Sequence, residues 1–232
     1  MASRKSSEER VNRVRNSILA GVAAIILLVG GYGLLYSTGV TQGKILEGTH
    51  YRVLDSYDRR RPGEAVKVQE FFSYGCIHCK NFDPLIEQWL TDLPDGVSFS
   101  RSPVAFSPSW TLLAQTYFTL EYLNILDANH ARLFRQIHDN RRQFMSANEV
   151  ADFIDGNGAT KEEFLRAFDA PDVRRAIRES DADQRNLAIT SVPTMVVAGK
   201  YVVNMDNGRK VALEVVDHLL TLEQRSDDPE QT

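Results

Sequence analysis

One long apolar run lies near the amino terminus of the chain. No charged side chain occurs from Asn16 to Gly43, and the stretch from Ile18 to Tyr36 is long enough, at helical rise, to cross a hydrocarbon layer. Five basic and two acidic residues precede the run, whereas the charges just after it nearly cancel. Because basic residues favour the cytoplasmic side, the pattern predicts a cytoplasmic segment over 1–16 and one transmembrane helix over 17–36.

A cleaved signal peptide is the alternative interpretation of this run. Such a peptide also begins with basic residues, but its apolar region is usually shorter and ends in a small-x-small site, whereas this run ends in Leu34-Leu35-Tyr36. Glycines in the run also permit a role in helix pairing: Gly21, Gly30, Gly31 and Gly33. Either the anchor or the signal peptide would export the rest of the chain.

The region after the run begins as a linker and continues as alternating strand and helix patterns. Glycine and arginine are frequent over 37–61, where Tyr51–Leu54 predicts a short edge strand. The β-branched and aromatic residues of Ala65–Phe72 predict a central strand. Apolar residues at helical spacing over Cys79–Leu90, followed by a second strand over Val97–Val104, predict a βαβ unit with parallel strands.

The pattern then becomes helical from Ser109 to about Ile189, which predicts several helices and no strand. Thr194–Ala198 and Tyr201–Asn204, separated by Gly199-Lys200, predict an antiparallel hairpin, and Gly208–Leu222 predicts a closing helix. We therefore expect an α/β domain over 62–224 with a helical insertion at about 107–190, and a disordered tail over 225–232.

Composition and charge narrow the class of protein. The chain has 232 residues, of which 43% are hydrophobic and 25% charged, as expected for one globular domain with an appendage. A formal net charge of -4 gives no general attraction to nucleic acid, and beyond residue 36 acidic residues outnumber basic ones by seven. Only two cysteines are present, so one chain can form neither a disulfide-rich scaffold nor a four-thiolate zinc site.

The two cysteines form a C-x-x-C motif, Cys76-Ile77-His78-Cys79, where a predicted strand ends and a helix begins. A sulfur at a helix amino terminus lies beside unpaired N–H groups, which lowers its pKa, so Cys76 is the expected nucleophile. Cys79 follows after one helical turn, deeper in the helix, and is the expected resolving thiol. Copper binding by this motif is a less favoured alternative.

Three further residues are candidates for this chemistry. His78 either stabilises the Cys76 thiolate or is a solvent-facing helix residue. Glu70 shares the strand face of core residues, so it is either a buried acid that exchanges a proton with Cys79 or part of a salt bridge. Pro193 precedes a strand; it is either trans and structural, or cis, which would leave the backbone of Val192 able to pair with an extended peptide.

These residues together resemble the DsbA family of exported thiol-disulfide oxidoreductases. The resemblance covers about residues 50–222 and rests on E-F-F-S-Y-G-C-I-H-C over Glu70–Cys79, on Pro84, and on the distant Val192-Pro193-Thr194. It implies a thioredoxin-like fold with an inserted helical domain. It also implies the following roles: Cys76 as nucleophile, Cys79 as resolving thiol, His78 as thiolate stabiliser, Glu70 as buried acid, Pro193 as cis proline, and Val192 and Thr194 as substrate-binding residues.

The resemblance also implies partners and a location. Substrates would be reduced, unfolded exported proteins, and a quinone-linked membrane oxidase similar to DsbB would recycle the enzyme. The expected place is the inner membrane of a bacterium, with a single-pass anchor, a cytoplasmic amino terminus and a periplasmic catalytic domain. We expect a monomer that needs no cofactor and no resident metal.

Two features depart from the family pattern. Ile77 replaces the proline that is common between the cysteines, and residues at these positions control redox poise. The predicted membrane helix is unlike the free periplasmic members. A disulfide donor is therefore the leading hypothesis, and a reductase or isomerase of the same fold is the alternative, followed by a copper-binding carrier.

Overall fold

The structure, a computed structural model, describes residues 15–31, 44–57, 59–61 and 63–226. The chain divides into two units at Lys44, and the described residues 15–31 of the first unit are helical and are called α1. Within the described residues, no helix is both long and apolar enough to cross a membrane. The transmembrane helix predicted over 17–36 extends past α1, and its last five residues lie outside the described part, as do residues 1–14 and 227–232.

The second unit is built on a five-stranded sheet. Its strands are β1 (Tyr51–Val53), β2 (Val66–Phe72), β3 (Val97–Pro103), β4 (Thr194–Val197) and β5 (Tyr201–Val203). The order across the sheet is β1-β5-β4-β2-β3, and only β2 and β3 are parallel. The βαβ unit, the edge strand and the hairpin predicted from the sequence are all confirmed.

Helices cover the sheet and fill the long connection between β3 and β4. They are α2 (Ile77–Leu90), α3 (Pro108–Tyr122), α4 (Leu126–His138), α5 (Ala147–Ile154), α6 (Lys161–Phe168), α7 (Pro171–Asn186) and α8 (Arg209–Arg225). Helices α3 to α7 form the helical insertion, as expected. Helix α2 starts two residues before the predicted start, and Pro84 lies inside it without ending it.

Local side-chain bonds begin three of the inserted helices, and before α3 Ser107 accepts a hydrogen bond from the amide of Trp110. Before α6, Thr160 and Glu163 form a reciprocal capping box. Before α5, Ser146 accepts a hydrogen bond from the amide of Glu149, but the Glu149 carboxylate accepts from the amide of Met145 instead of Ser146. All three arrangements satisfy amide groups that the first helical turn leaves unpaired.

Helix α2 contributes to two of the three apolar cores in the described part of the chain. One lies between the sheet and helices α2 and α8, and includes Val68, Phe82 and Leu219. The other fills the helical insertion and includes both cysteines. Burial of each large side chain contributes on the order of 1.5–3 kcal/mol, so the core of the helical insertion holds the cysteine pair in position.

Candidate active site

Cys76 lies at the junction between β2 and α2. Its backbone is extended, with φ −98° and ψ 117°, and it is the N-cap residue of α2. Its amide donates a hydrogen bond to the carbonyl of Ser73 at 3.0 Å, which closes the short turn between strand and helix. The N–H groups of the first helical turn have no partner within the helix, so the turn presents them to the Cys76 sulfur.

This environment lowers the pKa of the Cys76 thiol from 9.0 to about 6. The main cause is a hydrogen bond from the Cys79 thiol, and the backbone N–H groups of Cys79 and His78 act in the same direction. The His78 side chain, which is exposed, adds a smaller electrostatic effect, while partial burial opposes the shift. These contacts favour the thiolate form of Cys76.

Cys79 experiences the opposite effect. It is fully buried one helical turn beyond Cys76, and this burial raises the pKa of its thiol far above the ordinary value. The neighbouring Cys76 sulfur and the Glu70 carboxylate raise it further. The pair thus consists of one sulfur that ionises readily and one that retains its proton.

We expect the reduced protein to titrate one thiol with a midpoint near pH 6. Because the pKa of Cys76 in the folded state lies below its ordinary value, thiolate formation stabilises the folded, reduced protein. This contribution is complete above about pH 9 and is lost as the pH falls through about 6. Ultraviolet absorbance of the thiolate would measure the titration.

The matched variant for this titration is His78→Ala. It removes the imidazole but keeps the backbone N–H groups at the start of α2. The midpoint of the Cys76 titration should therefore rise only slightly, because the N–H groups contribute more to the lowered pKa than the imidazole does. A midpoint near 9 in the unchanged protein would contradict the proposed environment of Cys76.

Val192 and Pro193 lie on the other side of the Cys76 sulfur. The peptide bond between them is cis, which is the second of the two alternatives that the sequence left open. The Cys76 thiol donates a hydrogen bond to the carbonyl of Val192 at 3.5 Å. Thr194 is buried in β4, where its hydroxyl donates to the carbonyl of Ser191 at 2.8 Å. The structure thus brings Val192 to Cys76, whereas the Thr194 hydroxyl is occupied within its own turn.

Glu70 lies in the middle of β2 and is 2% exposed. Burial raises its pKa from 4.5 to about 8, although the nearby Arg101 guanidinium acts in the opposite direction. Arg101 lies opposite Glu70 on β3, and its Nε donates to the Glu70 carboxylate at 3.1 Å. The two interpretations of Glu70 are therefore compatible, since this buried acid is also part of a salt bridge.

A chain of polar side chains continues from Arg101 into the helical insertion. Its guanidinium also donates to the carboxylate of Asp83 at 3.1 Å. His130 Nε2 donates to the same carboxylate oxygen at 3.0 Å, which leaves Nδ1 to accept the Tyr74 hydroxyl at 2.8 Å. These groups are nearly all buried, so their hydrogen bonds offset the cost of removing them from water.

Sequence reasoning missed Arg101, Asp83 and His130. The sequence places Glu70 on a core face, but the choice of Arg101 as its partner depends on the register of the parallel strands β2 and β3, whose residues pair at a constant offset of 31. Asp83 lies one helical turn after Cys79, on the same face of α2. His130 belongs to α4, and only the packing of α4 beside α2 brings it to Asp83.

The aromatic residues of α3 have different positions. Tyr117 and Phe118 are buried, Tyr122 is exposed, and Trp110 is half-buried beside the active-site turn. A methyl group at Gly75 would lie 2.6 Å from Trp110 Nε1, so glycine at position 75 permits this close approach. Trp110 thus contacts the active-site turn, and Tyr117 and Phe118 belong to the buried core that also contains both cysteines.

Metal binding by the cysteine motif would require further ligands nearby. In the portion of the chain that the structure describes, no three or more histidine, cysteine, aspartate or glutamate side chains are arranged to hold a metal ion. The polar contacts around Cys76 and Cys79 are those of a thiol pair beside a helix terminus and a buried acid.

Comparison with known proteins places this arrangement in a family. The model of the DSBA-like thioredoxin domain matches residues 67–215, which is more than half of the chain. The thiol:disulfide interchange protein DsbA of Pseudomonas syringae pv. tomato is 34% identical over 164 residues, covering 70% of this chain and 76% of that protein. DsbA of Pseudomonas aeruginosa PAO1 is 33% identical over 165 residues, covering 70% and 78%.

Solved structures agree with the sequence comparisons. The crystal structure of Pseudomonas aeruginosa DsbA matches with a TM-score of 0.74 and 32% identity, covering 78% of this chain and 96% of that one. The oxidoreductase DsbA from Xylella fastidiosa matches with a TM-score of 0.72 and 25% identity, covering 78% and 98%. The chain belongs to the DsbA family, and it is a disulfide-donating thiol:disulfide oxidoreductase with a thioredoxin-like fold and a helical insertion.

Proposed function

We propose that Cys76 and Cys79 carry the disulfide that this enzyme donates, and that the recipients are reduced, unfolded proteins outside the cytoplasm. The observation that carries this assignment is the opposite direction of the two pKa shifts, lowered for Cys76 and raised for Cys79. A sulfur that is stable as a thiolate is a good leaving group. A disulfide that contains such a sulfur is therefore transferred readily to a substrate.

The exchange proceeds in two balanced steps. A substrate thiolate attacks the Cys76 sulfur, the Cys76–Cys79 bond breaks, and Cys79 leaves as a thiolate that takes up one proton. The second substrate thiolate then attacks the substrate sulfur of the mixed disulfide and releases Cys76 as a thiolate. Two electrons pass from the substrate to the enzyme, which ends with both cysteines reduced.

We assign the proton of Cys79 to Glu70. The carboxyl is buried, and its raised pKa of about 8 keeps it protonated over much of the physiological range. A protonated acid beside a departing thiolate is a proton donor, and the carboxylate accepts the proton again when the enzyme is reoxidised. The hydrogen bond from Arg101 Nε supports this role, because it holds the carboxyl in one orientation.

The remaining predicted residues have roles at the Cys76 sulfur. His78 stabilises the thiolate electrostatically, and Val192 with cis Pro193 presents its backbone to the substrate chain. The contact between Cys76 and the Val192 carbonyl supports this assignment, since a substrate bonded to Cys76 would lie beside the same backbone. Thr194 contributes by fixing the turn that precedes β4, through its bond to Ser191.

We further propose that the enzyme is anchored in the inner membrane of a bacterium. In this organisation 1–16 is cytoplasmic, 17–36 crosses the membrane, 37–61 is the linker, 62–224 is the periplasmic catalytic domain and 225–232 is a disordered tail. The uncharged run and the basic residues before it support the anchor. A quinone-linked membrane oxidase similar to DsbB would reoxidise the pair, and the catalytic domain would act as a monomer.

The reduction potential of the Cys76–Cys79 pair tests this proposal directly. We expect a value well above the thioredoxin potential of about −270 mV, because stabilisation of the Cys76 thiolate favours the reduced form. The full chain in detergent would be equilibrated with glutathione buffers and its thiols counted by alkylation. Restoring the family proline with Ile77→Pro provides the matched comparison. A potential near that of thioredoxin would contradict donation by this pair and favour a reductase.

A further inference from the structure

A cavity with a positive rim lies beside the active-site turn. Its volume is about 570 Å³, which is within the range of ligand-binding pockets, and Gly75 forms part of its wall. We name it the arginine pocket, for Arg141 and Arg142 in the segment after α4. Because Gly75 directly precedes Cys76, a polypeptide bonded to Cys76 reaches the pocket within a few residues.

The floor of the arginine pocket is apolar. Trp110 and Leu113 come from α3, and Phe144 and Met145 come from the segment before α5. Met145 is 74% exposed, and its flexible thioether adapts to side chains of different shape. A floor of this composition accommodates a leucine, methionine or aromatic side chain.

The rim of the pocket carries charge of one sign. Over the described part of the chain, no carboxylate lines the pocket, and neither Arg141 nor Arg142 is in an ion pair. The Arg142 guanidinium lies 4.9 Å from the centre of the Phe144 ring, which positions its charge above the apolar floor. This local positive charge contrasts with the acidic excess of the rest of the exported chain.

We propose that the arginine pocket binds a substrate segment in which a large apolar residue is followed by a carboxylate, close to the substrate cysteine. The inference rests on the proposed function, because the pocket acts on chains that react with Cys76. The apolar side chain covers the floor, and the carboxylate pairs with the arginines at the rim. The enzyme therefore reacts faster with those substrate cysteines that lie beside an apolar residue and a carboxylate.

Three reduced dithiol peptides test this selection. They differ only beside the first cysteine, which is followed by Leu-Glu, Leu-Gln or Leu-Lys. The second-order rate constant for reduction of the oxidised full chain is measured for each peptide by acid quench and alkylation. We expect the Glu peptide to react roughly fivefold or more faster than the Lys peptide at low salt, and the ratio to fall at high salt.

Two arginine variants assign the selection to the pocket. Arg141 has a φ of 55°, a conformation that glycine adopts more easily, so Arg141→Gly removes the charge without threatening the fold. Combined with Arg142→Gln, it should lower the Glu-to-Lys rate ratio by about threefold to tenfold. The control Arg178→Gln, at an exposed position of α7, should leave the ratio unchanged. Comparing ratios between variants cancels differences in the reactivity of the peptides themselves.

The possible failures are distinguishable. If the unchanged enzyme oxidises none of the three peptides, donation by this pair fails and the pocket proposal fails with it. If it oxidises the Gln peptide but the arginine variants leave the Glu-to-Lys ratio unchanged, only the pocket proposal is overturned. Replacing the leucine of the Glu peptide by serine should also slow the reaction, and an unchanged rate would overturn the role of the apolar floor.

Discussion

Replacing Cys76 by serine should lower the rate of disulfide donation by more than about a thousandfold, as removal of a catalytic nucleophile does in other enzymes. Serine cannot form the disulfide with Cys79, and its hydroxyl does not ionise near neutral pH. The rate would be measured by oxidation of a reduced, unfolded protein substrate supplied with the oxidised enzyme. Substantial donation by the variant would contradict the assignment of Cys76.

The matched variant Cys79→Ser should behave differently. It keeps the Cys76 thiol beside the helix N–H groups, but it lacks the buried thiol that releases a bound partner. Incubation with a small disulfide should therefore trap a stable mixed disulfide at Cys76, visible as an increase in mass. Thermal unfolding of both variants is the control, because loss of one sulfur should leave the surrounding cores packed.

Replacing Arg101 by methionine should destabilise the folded protein by about 3–5 kcal/mol at pH 7. The guanidinium pairs with Glu70 and Asp83, both buried, and with the more exposed Glu87. At pH 7 its loss leaves the buried Asp83 carboxylate without the guanidinium and takes one hydrogen-bond donor from the protonated Glu70 carboxyl. Denaturant unfolding of the unchanged protein and the variant, with the cysteines reduced in both, would measure the difference.

The control for the destabilisation expected of Arg101→Met is the variant Arg175→Met. Arg175 also pairs with two carboxylates, Asp172 and Glu179, but its side chain is 62% exposed. Its replacement should change the free energy of unfolding by no more than about 0.5 kcal/mol. Equal effects of the two substitutions would contradict the special role of burial around Arg101.

Titration of Glu70 should make the free energy of unfolding depend on pH. Its pKa in the folded state, about 8, lies above the ordinary value of 4.5, so folding favours the protonated carboxyl. The stability from this group is complete below about pH 4.5 and is lost as the pH rises through about 8. Glu70→Gln should remove this decline, and in combination with Arg101→Met it should recover part of the lost stability.

The fold was largely predictable because its signals are local. Strand β2 is rich in β-branched and aromatic residues, and the hairpin of β4 and β5 has Gly199-Lys200 between two apolar runs. The start of α2 was less predictable, because Cys76 acts as N-cap through its backbone and offers no capping side-chain bond. A boundary set by backbone conformation leaves little trace in residue type.

The site was predictable only where it is local in sequence. The spacing of Cys76 and Cys79 fixes one helical turn between them, and the chemistry follows from that geometry. The partners of Glu70 required the register of β2 against β3, which a single sequence does not contain. The bond of His130 to Asp83 depends on how two helices 47 residues apart pack together, and no periodicity predicts such a contact.

The insertion of five helices between β3 and β4 has a consequence for biosynthesis. Cys76 meets Val192 across 116 residues of chain, and Glu70 pairs with Met195 on the neighbouring strand. During synthesis both cysteines emerge long before β4, and closing so long a loop makes this sheet pairing late and slow. The emerging chain therefore carries a dithiol whose reactive surroundings are still incomplete, so that maturation of the fold and acquisition of full reactivity are one event.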